Sequence, residues 1–567
     1  MVKKIDKEIS YEALSEERKK LQSEGSLPDW YITGGWQMFK QKYLYGVSTY
    51  KEQIERIAKT AAQYTDNVEF YEKTFFDMIW NGWLSLSTPV LSNCGTNRGM
   101  PVSCSGNTVE DSVDGFYKSR HEVAILSQNG FGTSSYLGNI RHRGAKISRG
   151  GTASGILPVL LGHVQDSRDI NQGSRRGAWA GYVPVEHNDF DEVVKILETE
   201  PDDINIGWNI TDSFVEKLKN GDEEANRRYK RMLMVKVTTG KGYFCFIDKI
   251  NRNNPPAYKN NNLTVKASNL CDEITLFADE NHSFICVLSS LNLFKYDEWK
   301  DSDFIKWATV FLDCINSDFI EKSKNIPKLD KVRASAIKGR SLGLGVCGFH
   351  SYLQSKMIPF ESYEANSFNN LFFKEMREKS YEASRELALK YGEPEWCIGT
   401  GMRNTHTMAI APTMSSALLV GGISQGIEPV MGNAFTQDSA AGEIERVNPI
   451  LLPIMIERGV YSKKVIDDIA SKVGSVQHVD WLSEHEKKVF KTAFEIDQRV
   501  ILRYASSRGK YVDQWQSLNL FFDANEKEEY ISSIHKEAFL DEGIRGLYYM
   551  RTQKGVMASK DTCESCV

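Results

Sequence analysis

Near the middle of the chain, Asn269-Leu270-Cys271-Asp272-Glu273 sets an amide, a thiol and a carboxylate at alternate positions. Any fold that this chain adopts has to hold those three groups together. In an extended backbone side chains alternate faces with period 2, which predicts Asn269, Cys271 and Glu273 projecting on one side. A carboxylate accepts a proton, an amide orients a hydroxyl and a thiol supplies reactive sulfur. That set suits proton and hydrogen-atom chemistry on a polar substrate. The same residues also read as a polar strand face with one stray cysteine, so the wider cysteine pattern has to decide.

Ten cysteines in 567 residues read as reduced thiols, some of them catalytic, rather than as a disulfide scaffold. Cys104 closes Pro101-Val102-Ser103-Cys104, and Cys286 sits in Phe284-Ile285-Cys286-Val287-Leu288-Ser289-Ser290-Leu291. Cys563-Glu564-Ser565-Cys566 stands near the C-terminus, with Tyr548-Tyr549 shortly before it. This lone C-x-x-C has no second ligand pair nearby and no H-E-x-x-H accompanies it, which argues against a metal site in the chain. It also lacks the compact βα context of a thiol–disulfide oxidoreductase. A hydrophobic content of 41% is ample for one large core or several domains. The formal charge of −5 argues against a nucleic-acid binder. No long apolar run and no apolar signal core follow Met1-Val2-Lys3-Lys4, so the expectation is a soluble, cytoplasmic protein without a membrane association.

Along the chain, residues 1–26 read as a polar lead-in with one short helix around 11–21. Residues 27–85 read as helical, and Thr49-Tyr50-Lys51-Glu52 fits a capping box ahead of Ile54, Ile57, Ala58, Ala61 and Ala62 at helical spacing. The stretch 86–96 reads as a hydroxyl-rich turn that can cradle a phosphate or serve as an ordinary loop. Two basic loops, 137–149 with Arg141, His142, Arg143, Lys146 and Arg149, and 173–181 with Arg175 and Arg176, stand out against the acidic whole. They read as local anion sites or as solvated charged faces. Residues 232–238 and 243–247 look β-like, and 303–323 reads as a buried helix with Cys314 beside its stripe; Cys314 and Cys347 read as structural. Thr413-Met414-Ser415-Ser416 offers three hydroxyls where a helix could open onto a phosphate. Gly422-Ile423-Ser424-Gln425-Gly426 matches a nucleophile elbow in letters only, because Pro429 follows where a helix should begin. Ser483 to Glu486 reads as the cap of a last long helix carrying Val489, Phe490, Ala493 and Phe494.

Taken in order, Cys104, the central pentapeptide, Cys286, Tyr548-Tyr549 and the terminal cysteine pair resemble the large, catalytic subunit of class I ribonucleotide reductase, from about Leu27 onward. The resemblance implies a ten-stranded α/β barrel of two five-stranded halves. A finger loop carries the central cysteine inside the barrel, beside a mainly helical N-terminal region. It implies a catalytic barrel over 86–550 and a flexible redox-active tail over 551–567. It also implies reduction of ribonucleoside diphosphates to deoxyribonucleotides for DNA synthesis.

In that scheme Cys271 carries a thiyl radical, Glu273 takes a proton from the substrate's 3′-hydroxyl and Asn269 orients the sugar. Cys104 and Cys286 supply reducing equivalents, Cys563 and Cys566 re-reduce them, and Tyr548 and Tyr549 relay the oxidising equivalent. Thr88, Ser103, Thr413, Ser415 and Ser416 fall on the substrate side, with Met414 where many relatives carry glutamate. Asp111, Arg141 and Arg176 fall where an allosteric nucleoside triphosphate, a dNTP or ATP, is sensed. The implied partners are a metal-containing, radical-generating beta subunit, thioredoxin or glutaredoxin, and a second copy of the chain. No cofactor is expected in this chain. The short lead-in raises the expectation of a form without the N-terminal ATP-cone. Two rivals share part of the pattern. A cobalamin-dependent reductase would not need the tyrosine pair, and a non-catalytic nucleotide-sensing paralogue would not need the five cysteines.

Overall fold

A computed structural model of the chain describes residues 11–172, 175–439 and 442–553, without the side chains of 171–176 and 436–445. Its N-terminal part is helical. Thr49 caps the helix Tyr50–Ala62 by accepting from Glu52 N, and the Glu52 carboxylate accepts in return, completing the capping box read in the sequence. Ile54, Ile57, Ala58, Ala61 and Ala62 are all buried. This helix packs against Val68–Trp80 and against Phe304–Ser323, the long buried helix expected over 303–323.

Nine strands make the central sheet: β1 (Leu84–Leu86), β2 (Cys104–Thr108), β3 (Gly132–Tyr136), β4 (Trp179–Pro184), β5 (Ile206–Ile210), β6 (Tyr243–Phe246), β7 (Phe284–Asn292), β8 (Leu342–Cys347) and β9 (Gly546–Leu547). Strands β2 to β6 run parallel in consecutive order, a five-stranded half-barrel. The β3–β4 connection carries the helix Ile156–Asp169, and the β4–β5 connection carries Phe190–Thr199. Such crossovers are what parallel neighbours require. β7 joins this half antiparallel to β2 and pairs in parallel with β8, so it is the hinge between the halves. The second half continues beyond β8 through single parallel bridges from Leu344 to Met408 and from Ile410 to Gln516. The architecture is an α/β barrel with a helical N-terminal region. β7 and β8 are buried at every position, which explains why neither shows a regular alternation of polar and apolar residues.

Four local expectations change. Residues 232–238 are not a strand but part of the helix Glu223–Thr239. Asp222 caps it by accepting from Ala225 N, Glu224 pairs with Arg227 and Arg228, and Gly240 stops it in the left-handed region. Those terminal and surface terms outweigh the β-branched residues near its end. The stretch 86–96 is not an open turn, because Pro89 starts the short helix Thr88–Asn93. The capping box at Ser483 and Glu486 is real, but its helix ends at Val489, and Thr492 with Glu495 opens a separate 3-10 turn. The last long helices are Gln498–Gly509 and Glu528–Leu540. Finally, 269–273 is a turn rather than a strand, with Asp272 at φ 62°. No helix among the described residues is long and apolar enough to cross a membrane.

Candidate active site

The antiparallel register of β2 and β7 sets Cys104 directly opposite Cys286. Opposed residues in such a pair have Cα atoms about 4.5–5.5 Å apart, within the span of a disulfide. Both are free thiols and both are buried. Each sulfur accepts from an amide: Asn269 Nδ2 donates to Cys104 Sγ at 3.3 Å, and Gln514 Nε2 to Cys286 Sγ at 3.4 Å. Burial pushes the Cys286 thiol well up, only partly offset by Gln514, so it is held as S–H.

The finger turn brings Cys271 into the same buried cluster as Cys104, Cys286 and Tyr548. Asn269 builds the turn, its Oδ1 accepting from the backbone N–H groups of Glu273 and Ile274, each at 3.0 Å. The turn is tied to the second half of the barrel: Trp515 N donates to Glu273 O, and Ser517 Oγ reaches Cys271 O at 2.6 Å and Glu273 Oε2 at 3.2 Å. Glu273 is buried, and desolvation raises its carboxyl to about 7, with hydrogen bonds from Asn269, its own backbone N–H and Ser517 acting in the other direction. A carboxyl poised near neutrality exchanges a proton readily at the pH of a cell.

Glu273 and Cys104 face a pocket also lined by Ser85, Ser87, Ser103, Ser289, Ser290, Thr413 and Ser416. Among the sequence-predicted substrate residues, Ser103, Thr413 and Ser416 therefore come together beside the thiol and the carboxylate. Thr88 does not line this pocket and sits 3.2 Å from Tyr43 Oη, while Ser415 also lies outside the lining. Ser87 and Ser103 hydroxyls are buried without a partner among the described residues. Buried hydroxyls in that state cost free energy until a ligand bonds them. Ser289-Ser290 lay in plain view beside Cys286, and the position of hydroxyls on a strand next to a thiol was the signal that they line the site. The serine of the elbow-like pentapeptide is a core residue, its Oγ accepting from Ser351 N at 3.2 Å, and no helix opens after Gly426.

Tyr548 and Tyr549 lie with ring centroids 4.0 Å apart. A third phenol that the sequence reading did not single out completes the group. The ring of Tyr243 on β6 packs against that of Tyr548 at 4.7 Å between centroids, tilted by 45°, and its hydroxyl is 3.3 Å from Tyr549 Oη. The Arg551 guanidinium lies over the Tyr549 ring at 5.3 Å. Of the effector residues, Asp111 and Arg141 come together, with Arg141 Nε donating to Asp111 Oδ2 at 2.6 Å beside the capped start of the helix Val113–Gln128. Arg143 likewise pairs with Glu192, so this loop is less bare of counter-charge than its sequence suggests. Arg176 has a backbone place in a two-residue strand, but its side chain lies outside the described residues, as do Cys563 and Cys566 entirely. Cys94, Cys314 and Cys347 are buried, and burial is the main cause that pushes their thiols up, Cys347 to about 12, with Asp318 adding to it at Cys94 and Asp313 at Cys314.

The chain matches the model of the ribonucleotide reductase barrel domain over residues 102–228, 223–400 and 395–550, and that of the ribonucleotide reductase all-alpha domain over 33–99. It is 35% identical to a putative ribonucleoside-diphosphate reductase large subunit of Frog virus 3, over 84% of this chain and 87% of that protein. A ribonucleoside-diphosphate reductase large subunit of Invertebrate iridescent virus 3 is 30% identical over 89% of this chain and 91% of its own length. Among solved structures, the class Id ribonucleotide reductase alpha subunit of Actinobacillus ureae superposes with a TM-score of 0.86 at 36% identity, covering 94% of this chain and 99% of that one.

Proposed function

This chain belongs to the ribonucleotide reductase family as a class I large subunit, a ribonucleoside-diphosphate reductase, and we propose that its finger turn and the β2–β7 thiol pair carry the reaction. The observation that supports this most is that Cys104, which lines the pocket together with Glu273, stands opposite Cys286, which lies behind that lining. In this reading Cys271, as a thiyl radical, takes the 3′-hydrogen of the substrate. Glu273 accepts the 3′-hydroxyl proton while Asn269 holds that edge of the sugar. Loss of that proton makes departure of the protonated 2′-hydroxyl as water easier. Cys104 and Cys286 give up two protons and two electrons and end as a disulfide, and Cys271 returns the hydrogen to C3′. The balance is one ribonucleotide and two thiols to one deoxyribonucleotide, one disulfide and one water.

Ser87, Ser103, Thr413 and Ser416 supply hydroxyls for the substrate's phosphates and ribose. Tyr548 and Tyr549 pass the oxidising equivalent inward from a radical-generating beta subunit, with Tyr243 beside them. The pair Cys563 and Cys566 exchanges with the buried disulfide and is itself reduced by thioredoxin or glutaredoxin. Asp111 and Arg141 contact the effector nucleotide, and the working unit is a cytoplasmic homodimer.

The test is deoxyribonucleotide formation by the purified chain with a radical-generating subunit. Cys271→Ser should abolish it while substrate and effector still bind. Appreciable turnover by that variant would remove the central assignment.

A further inference from the structure

Asp272, between the thiol and the carboxylate, is 2% exposed and sits at φ 62°. This left-handed conformation is uncommon for a residue with a Cβ, and aspartate tolerates it better than most. Beneath it lies Tyr182 of β4. Its hydroxyl donates to Asn269 O at 2.6 Å and stands 3.2 Å from Asp272 Oδ1. A phenol has one proton, and the shorter contact takes it. The contact to Asp272 is therefore satisfied best when the carboxyl is the donor.

The other oxygen, Oδ2, has no partner among the described residues, and a Cβ on Gly546 would come within 2.6 Å of it. An ionised carboxylate left in that state carries a large desolvation cost. The titratable groups facing it are Tyr182, Glu273, Cys245 and Lys236. Lys236 Nζ donates instead to the carbonyls of Gly242 and Tyr548. Burial moves both partners toward neutrality, Asp272 up and Lys236 down to about 7.

We propose that Asp272 is a positioning residue for Cys271: as a neutral acid it donates to Tyr182 Oη, Tyr182 donates to the Asn269 carbonyl, and this chain of two hydrogen bonds fixes the turn that presents the thiol. The inference rests on the reading of Cys271 as the radical-bearing residue. It adds a requirement on the residue that follows Cys271 in the finger turn, that it be a hydrogen-bond donor able to hold a positive φ.

Three variants, assayed with the radical-generating subunit, separate the backbone from the side chain. Asp272→Gly keeps the backbone at ease and removes the donor. Its kcat should fall roughly 10- to 100-fold with KM nearly unchanged, as misplacement of a reacting group does. Asp272→Asn tolerates the same φ and donates from its amide, so it should stay within about threefold of the parent. Tyr182→Phe should lose as much as Asp272→Gly, and combining the two should cost little more than either, because both break one chain. A glycine variant with full kcat would overturn the proposal. So would an asparagine variant as slow as glycine, since charge next to Lys236 would then be what matters. Should Asp272→Gly fail to fold, an equal kcat for Tyr182→Phe and the parent overturns it instead. If Cys271→Ser retains activity, the underlying reading has failed. If that variant is dead and Asp272→Gly is normal, only the positioning role has failed.

Discussion

Cys104 and Cys286 face each other across the antiparallel pair β2–β7, and each sulfur accepts from its own amide, Asn269 or Gln514. A thiol pair that is buried and matched in register is poised to close into a disulfide when two electrons are drawn from it, and to do so without moving the strands. After one turnover without external reductant, peptide mapping should find Cys104 joined to Cys286, with the other barrel cysteines still free. Cys286→Ser should leave no such link and lower deoxynucleotide yield by at least about 10²-fold, the scale on which loss of an essential reacting group is felt. A disulfide formed elsewhere in the barrel would contradict the assignment.

Glu273 gives a pH signature. Its carboxyl is raised from 4.5 to about 7 by burial, and it works as a base only when ionised. The kcat profile should therefore fall on the acid side with an apparent pKa near 7, and Glu273→Gln should remove that limb along with about 10²- to 10⁴-fold of the rate. Stability should run the other way. Between pH 4.5 and about 7 the folded chain keeps a proton that the unfolded chain has released, so this group destabilises the fold as pH rises. The effect amounts to up to about 3 kcal/mol above that window, from a displacement of 4.5 to about 7. At pH 8 the glutamine variant should unfold at a higher temperature than the parent, and at pH 4 the two should converge. A lower melting point for the variant at pH 8 would show that the ionised form is stabilised in place.

The tyrosine cluster predicts a loss without disorder. Tyr548→Phe keeps the ring that packs against Tyr243 and Tyr549 at centroid distances of 4.7 and 4.0 Å. It removes only the oxidisable hydroxyl. Turnover should disappear while the melting temperature moves by only about 1 °C, the shift that roughly 1 kcal/mol produces in so large a chain. Full activity in this variant, or activity with adenosylcobalamin and no second subunit, would move the protein to the cobalamin-dependent class.

How far the sequence carried the argument differs from residue to residue. The identities at Asn269, Cys271 and Glu273 were readable, because amide, thiol and carboxylate at that spacing are a chemical set. Their conformation was not. Period-2 alternation assumes a strand, whereas Asn269 spends its own side chain on the N–H groups of Glu273 and Ile274 and so makes a turn, a local competition that short polar side chains often win. The pairing of Cys104 with Cys286 is a matter of strand register between distant segments, which no local pattern encodes; the resemblance implied it. Residues 232–238 misled for a related reason, since the cap at Asp222 and the Glu224 pairs that make this stretch helical lie outside the β-like window. Tyr182, Tyr243 and the Gln514–Ser517 stretch come from three separate segments and meet only in the folded barrel.

Arg141 and Asp111 predict where selectivity can be altered. They form an ion pair at 2.6 Å, with side chains 40% and 25% exposed, beside the capped start of the helix Val113–Gln128. Such an exposed pair contributes only about 0.2–1 kcal/mol to stability, so breaking it should hardly affect the fold. If the pair instead meets an effector nucleotide, Arg141→Ala should weaken effector binding by about tenfold or more, as loss of a charge-assisted contact does. The base preference that each effector imposes should then be blunted, while Cys271, Glu273 and the thiol pair are untouched. Competition assays with four ribonucleoside diphosphates and one effector at a time read this directly. An unchanged product ratio across all effectors would remove Arg141 from the site.

The terminal cysteines give the last prediction, and it separates chemistry from recycling. In the proposed reaction the buried pair reduces one substrate per site before it must be re-reduced, and Cys104 and Cys286 lie too deep for a folded reductant to reach. An extended chain spans at most roughly 3.3–3.6 Å per residue, so the stretch from Tyr549 to Cys563 can cover several tens of ångström, enough to connect a buried site with the surface. Cys563→Ser with Cys566→Ser should therefore leave one turnover per site intact and stop all later ones driven by thioredoxin or glutaredoxin. A small dithiol should restore part of the steady state, because it diffuses into the pocket directly. The burst amplitude is the decisive quantity: a burst of about one product per site followed by arrest means that the tail carries electrons inward. Thioredoxin-driven turnover at the parental rate would mean that the buried disulfide is reduced by another route.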